Sequence, residues 1–312
     1  MMKKLLSIFI VTVILVGFLY WFWISPPSGR TQTIFFPIHS GETWDRVAEH
    51  LQGQGMIRSP RVFLLFTRLR GVDTNLRAGR YQLQKGMTLT QILLAITDPK
   101  QTEVSVTIPE GYSTHEIDER LTGMGLIDEG DFRMAAFNSE GYLFPDTYFV
   151  FANNSVSQQL IKKMQANFIS KITPELKTAV EKQNRSLQEV ITMASIVEKE
   201  VRTEQDLPVV AGILWKRLDK GWPLQADATL LYGKDVPTIS KSDLEGDNPY
   251  NTRNKKGLPP TPIDNPGMRA IQAAVYPKES PYWFYLTDKE GQVHYAVTND
   301  EHNENRRLYL DK

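Results

Sequence analysis

The longest uninterrupted apolar stretch of this chain comes first. Leu5–Ile24, LLSIFIVTVILVGFLYWFWI, runs for 20 residues without a charge. At about 1.5 Å per residue a helix of this length spans about 30 Å, the thickness of a bilayer's hydrocarbon core. The pattern predicts a single transmembrane helix. Lys3 and Lys4 precede it, and Tyr20, Trp21 and Trp23 close it. The positive-inside rule and the aromatic belt then place residues 1–4 in the cytoplasm and everything from Pro26 outside it, at the cell (inner) membrane. A cleaved signal peptide would need a shorter apolar run and a small-x-small site, which Ser25–Gly29 does not offer. Residues 25–32, rich in Pro, Ser and Gly, read as a linker.

Beyond the linker the apolar positions break into short periods. Thr33–Ile38 reads as a strand. Trp44, Val47, Ala48 and Leu51 mark a helix stopped by Gly53 and Gly55. Ser59-Pro60 opens a second helix carrying Phe63, Phe66 and Leu69. A strand over 78–83, a helix over Leu89–Ile96 and a strand over Val104–Ile108 follow. Residues 33–107 therefore read as one small α/β unit. From 108 to 312 the pattern is mixed. It predicts helices over Thr114–Met124 and Val156–Ile169, a helix opened by Ser186, and another capped by Asp206 and ended by Gly221. An ordered loop is predicted over 240–266, then a hairpin of Tyr282–Leu286 with Val293–Val297. The fold class is α+β.

One of these helices carries candidate chemistry. Ser186 and Glu189 form a capping-box pattern. Leu187, Val190, Ile191, Ala194, Val197 and Val201 then recur at helical spacing. Glu198 lies four residues after Ala194 and seven after Ile191, so it projects from the same stripe. Met193 and Ile196 extend the apolar surface toward Glu200, so spacing separates the two acids only modestly. A carboxyl among apolar neighbours is desolvated, which raises its pKa and suits it to act as a general acid.

Charge and composition narrow the classes. Lys and Arg total 36, matched by 36 Asp and Glu, and no basic stripe with interleaved aromatics argues for nucleic acid. The chain has no cysteine, which excludes disulfides, thiol catalysis and Cys-zinc sites. No two of the five histidines have metal-ligand spacing and there is no Gly-x-Ser-x-Gly, so neither a metal nor another cofactor is expected. His302 reads as structural. Three further polar clusters stand out: Gln225-Ala226-Asp227-Ala228-Thr229, Pro249-Tyr250-Asn251-Thr252-Arg253, and Glu140 through Asp146. Each is compatible with an ordinary turn or cap. Together they offer the carboxylates, amides and aromatic faces that a neutral, hydroxyl- and acetamide-bearing sugar ligand needs.

The segment Ala194-Ser195-Ile196-Val197-Glu198-Lys199-Glu200 resembles the hallmark of the endolytic murein transglycosylases, the MltG or YceG-like family. Leu224-Gln225-Ala226-Asp227, Pro249-Tyr250-Asn251-Thr252, Gly257 through Ile263 with Asn265-Pro266-Gly267, Phe144-Pro145-Asp146-Thr147 and Glu301-His302-Asn303 add to the resemblance. It covers nearly the whole chain. It implies a transmembrane helix, a LysM-like α/β subdomain over 33–107, and a mixed α/β catalytic domain over 108–312. The implied activity is internal cleavage of nascent peptidoglycan strands between N-acetylmuramic acid and N-acetylglucosamine, leaving 1,6-anhydro ends and terminating elongation. The implied partners are glycan strands, the lipid membrane through residues 5–24, and peptidoglycan synthases. The family's catalytic Glu is expected at Glu198. Gln225, Asp227, Tyr250 and Asn251 are expected to hold substrate, and Glu200 or Glu140 to tune the site. Ala226, Ala228, Arg253 and Val201 depart from the family's usual residues. Two rivals remain: a non-catalytic glycan-binding scaffold, and a hydrolytic muramidase using two carboxylates, for which Asp227, Glu140 or Glu200 could supply the second.

Overall fold

A computed structural model describes residues 17, 25, 32–39, 41–72, 76, 78–98, 102–153, 155–234 and 238–310. The expected membrane helix over 5–24 lies, apart from Gly17, outside the described residues. Among the described residues no helix is long and apolar enough to cross a membrane. The chain divides into two compact units. The first runs to Val106 and takes in Phe149–Val156, and the second holds Thr107–Tyr148 and Ser157–Lys312. The sequence reading had kept 149–156 with the second unit.

In the first unit, β1 (Thr33–Ile38) pairs antiparallel with β2 (Gly79–Gln84), which pairs antiparallel with β3 (Thr102–Thr107). β4 (Thr147–Phe151) completes the order β1-β2-β3-β4. The register sets Phe36 opposite Tyr81 and Ile34 opposite Leu83. Alternation turns Phe36, Ile38, Tyr81 and Leu83 inward. Against them pack α1 (Trp44–Gly53), α2 (Pro60–Leu69) and α3 (Leu89–Thr97), which bury Val47, Leu51, Phe63, Ile92 and Ile96. Trp44 and Phe63 meet with ring centroids 6.0 Å apart. On the sheet's exposed face the Arg80 guanidinium lies 4.2 Å from the Phe35 ring and 5.0 Å from Phe149, covering two aromatics that would otherwise meet water.

The second unit opens with α4 (Thr114–Gly123) and α5 (Asp131–Ala135), followed after β4 by α6 (Val156–Lys171) and α7 (Pro174–Lys182). Its centre is α8 (Leu187–Glu200). The capping box predicted at its start is present, with Ser186 Oγ accepting from Glu189 N and the Glu189 carboxylate from Ser186 N. Residues 190–197 are all buried, so α8 is apolar all round and not merely along a stripe. It packs against α9 (Leu207–Asp219) and α12 (Met268–Val275). Two short helices, α10 (Asp227–Leu231) and α11 (Lys241–Glu245), lie between them in sequence. The hairpin of β5 (Phe284–Thr287) and β6 (Val293–Ala296) follows, then α13 (Asn299–Tyr309).

Gly141 shows how tightly this unit is assembled. Its φ is +85°, and a Cβ there would overlap Pro262 and come within 2.9 Å of Ile191. Only glycine lets that turn lie against α8.

Candidate active site

α8 emerges from the core at Glu198-Lys199-Glu200, and consecutive helical residues leave in different directions. A cleft of about 940 Å³ opens beside this end, wholly within the second unit. Glu200, Gln225, Asp227, Arg253 and Tyr285 line it; Glu198 does not.

Glu200 is the last residue of α8, at the negative end of the helix dipole. The Tyr285 hydroxyl donates to its Oε2 at 3.0 Å, and Thr287 Oγ1 donates to its backbone carbonyl at 3.2 Å. The β5 strand is thereby laid across the helix end. Burial drives the Glu200 carboxyl up to about 7, and nearby Asp227 pushes the same way. The bond from Tyr285 and the charge of Arg217 partly oppose this. The carboxyl is thus substantially protonated near neutral pH while it faces a cleft. Arg217, itself buried, donates to Trp283 O at 2.9 and 2.7 Å and to Leu224 O at 2.6 Å. It ties the hairpin to the segment that carries Gln225.

Gln225 is held at φ +57°, a left-handed conformation uncommon outside glycine. Its N–H donates to Thr252 O at 2.9 Å, and Ala226 N donates to Thr252 Oγ1 at 3.1 Å. Backbone strain of this kind persists where surrounding structure over-determines it, and here it lies on the cleft wall. Asp227, two residues on, opens α10. Its Oδ1 receives Nε and Nη2 of Arg253, each at 2.5 Å. Arg253, one of the departures from the family's usual residues, is therefore the counterion of a cleft carboxylate.

The other predicted site residues have different places. Asn251 is fully buried. Its amide donates to the carbonyls of Asp243 and Leu244 and its Oδ1 accepts from Arg253 N, so its polar atoms shape the loop. Tyr250 is half-buried, its ring tilted against that of Tyr232 with centroids 4.8 Å apart, and hydrogen-bonded to Thr261; Tyr232, not Tyr250, lines the cleft. Glu140 is buried behind it, accepting from Thr114 N and Oγ1, Tyr232 OH and Asn265 Nδ2. With its oxygens occupied, Glu140 is a structural hub.

Glu198 is not among the residues that line the cleft. It is half-buried, its Oε2 accepts from Gly267 N at 3.0 Å, and burial raises its pKa. Its Cγ lies 3.2 Å from where a Cβ on Gly111 would stand, and an Asp264 oxygen lies 3.8 Å from that same point. Asp264 is fully buried and neither carboxyl oxygen has a hydrogen-bond partner. Burial holds it neutral well above the usual carboxylate range, with Glu198, Glu140 and Glu116 adding to the effect and Lys199 opposing it.

Sequence reading assigned no part to Tyr285, Arg217 or Asp264. Tyr285 stands in a predicted strand, but its meeting with Glu200 spans 85 residues of chain. His302, read as structural, lines the cleft and stacks on Phe284 with centroids 5.3 Å apart.

Comparison with known proteins supplies a second line. The YceG-like family model matches residues 36–308. A Bacillus subtilis protein named endolytic murein transglycosylase is 30% identical over 308 residues, covering 89% of this chain and 85% of its own length. A Streptococcus pneumoniae protein of the same name is 28% identical over 90% of this chain, which spans 59% of that longer protein. The 2.6 Å crystal structure of a yceG-like protein from Listeria monocytogenes superposes with a TM-score of 0.59 at 29% identity, over 87% of this chain and 98% of that one.

Proposed function

This chain belongs to the YceG-like family, and on that premise we propose that it is a membrane-anchored endolytic murein transglycosylase whose proton donor is Glu200. The bond cut is that between N-acetylmuramic acid and N-acetylglucosamine. Protonated Glu200 gives its proton to the glycosidic oxygen as the C1–O bond breaks through an oxocarbenium-like state. The carboxylate left behind takes the proton of the muramyl C6 hydroxyl, and O6 closes on C1 to give the 1,6-anhydro end. The nucleophile is tethered to the reacting sugar, so no water is consumed. Asp227, paired with Arg253, faces the positive charge that develops at C1, and Gln225 offers its amide to the sugar. The first unit, with its β1-α1-α2-β2 order, serves as the LysM-like glycan-holding part. The apolar run 5–24 holds the enzyme at the membrane where new strands emerge.

The observation that carries this reading is a carboxyl raised to about 7 on the wall of a polar cleft. It supports Glu200 as the acid over Glu198, which the family resemblance implies and whose carboxyl burial also raises. The test incubates the protein with un-crosslinked strands and identifies the new ends by mass spectrometry. Internal cuts with anhydro ends are expected, with the rate falling by about 10²–10⁴ in Glu200→Gln and largely kept in Glu198→Gln. The reverse ranking returns the role to Glu198. Asp227 on the same cleft also keeps the two-carboxylate hydrolase in view; reducing ends in place of anhydro ends would select it.

A further inference from the structure

We infer that the outer face of α2 rests on an anionic lipid surface. Exposed positions on α2 recur at Arg61, Leu65, Arg68 and Leu69, which is one face of a helix. Leu65 is 58% exposed and Leu69 76%, although the opposite face buries Phe63 and Phe66 in the core of the first unit. Residues 57–71 hold four arginines, Arg58, Arg61, Arg68 and Arg70, and no carboxylate, in a chain whose charges balance overall. Leucines beside arginines on an exposed face are the pattern of an interfacial helix: the apolar groups enter the headgroup boundary and the guanidinium groups meet phosphates.

Chain length brings this face to its partner. The linker 25–32 has eight residues, which reach at most about 28 Å when fully extended. With residues 5–24 in the bilayer, β1 starts within that distance of the surface, and α2 belongs to the same compact unit as β1. The inference rests on the membrane-anchor reading in this respect, and the experiment separates the two.

The chain has no cysteine, so one introduced cysteine carries a nitroxide without background. Full-length Val13→Cys and Leu69→Cys proteins are labelled and reconstituted in vesicles of phosphatidylglycerol and phosphatidylcholine, and label depth is read by power saturation. The expected result is a deep label at position 13 and a label at position 69 about 5–10 Å into the headgroup and acyl boundary. In the Arg61→Glu, Arg68→Glu background the position 69 label is expected to return to water. A deep label at 13 with an aqueous label at 69 overturns the docking and leaves the anchor standing. An aqueous label at 13 overturns the anchor, and the docking with it. A boundary signal that survives both arginine substitutions overturns the electrostatic part.

Discussion

Glu200 is balanced between burial, which favours its protonated form, and a tyrosine hydroxyl, which favours its ionised form. A general acid with a pKa of about 7 loses its working form as pH rises through that value. Strand cleavage is therefore expected to fall about tenfold per pH unit on the alkaline side. Its neighbours move that limb in opposite directions. Asp227→Asn removes a repelling charge and shifts the limb to lower pH. Tyr285→Phe removes a donor to the carboxylate and shifts it to higher pH. Initial rates across pH 5–9 check both. Complete loss of activity in Asp227→Asn, without a shift, would instead make Asp227 a reacting group. Asp264 gives a prediction in stability. Unfolded, it ionises near pH ~4; folded, burial keeps it neutral well above that. The unfolded state alone loses the proton as pH rises past about 4, so the native state is progressively disfavoured until Asp264 itself ionises. Asp264→Asn is expected to raise Tm at pH 7 by at least ~2 °C, an advantage that fades toward pH 4. Thermal melts at the two pH values check it.

Elements differ in how far they can be read from local signals. The Ser186 capping box, the Ser59-Pro60 helix start and the Asp206 to Gly221 helix all stand where the residues indicate, because local signals act within one or two turns, but neither Ser59 nor Asp206 makes the side-chain capping bond that Ser186 makes. No strand is predicted from the sequence over β4. Its run Thr147–Phe151 becomes a strand through pairing with β3, some 40 residues earlier, and no local period encodes that partner. The segment 240–266 was read as loop throughout, yet it carries α11, capped by Ser240 and Asp243. Spacing separates Glu198 from Glu200 only modestly for a related reason. An apolar stripe favours one face, but α8 is buried on every face, so the stripe gives no direction. What distinguishes the two acids is the β5 strand laid over one of them and Gly267 over the other. The Gly141 turn offers a check on this packing. Gly141→Ala adds a left-handed alanine and a clash with Pro262, a combination expected to cost at least about 2 kcal/mol in denaturant melts.

At the scale of the molecule, the order in which the site is assembled matters. Glu200 comes from α8, Asp227 from α10, Arg253 from the loop after α11, and Tyr285 from the hairpin near the end of the chain. Deleting residues 1–31 is expected to leave cleavage of soluble strands intact, since none of these four lies there, and to weaken sedimentation with vesicles. The hairpin has a consequence in time. A chain still being made has Glu200 long before it has Tyr285, so the carboxyl gains the hydroxyl that tempers its pKa only when the hairpin arrives. The cleft that holds Glu200 is therefore complete only once residues 85 positions further along the chain have folded against it.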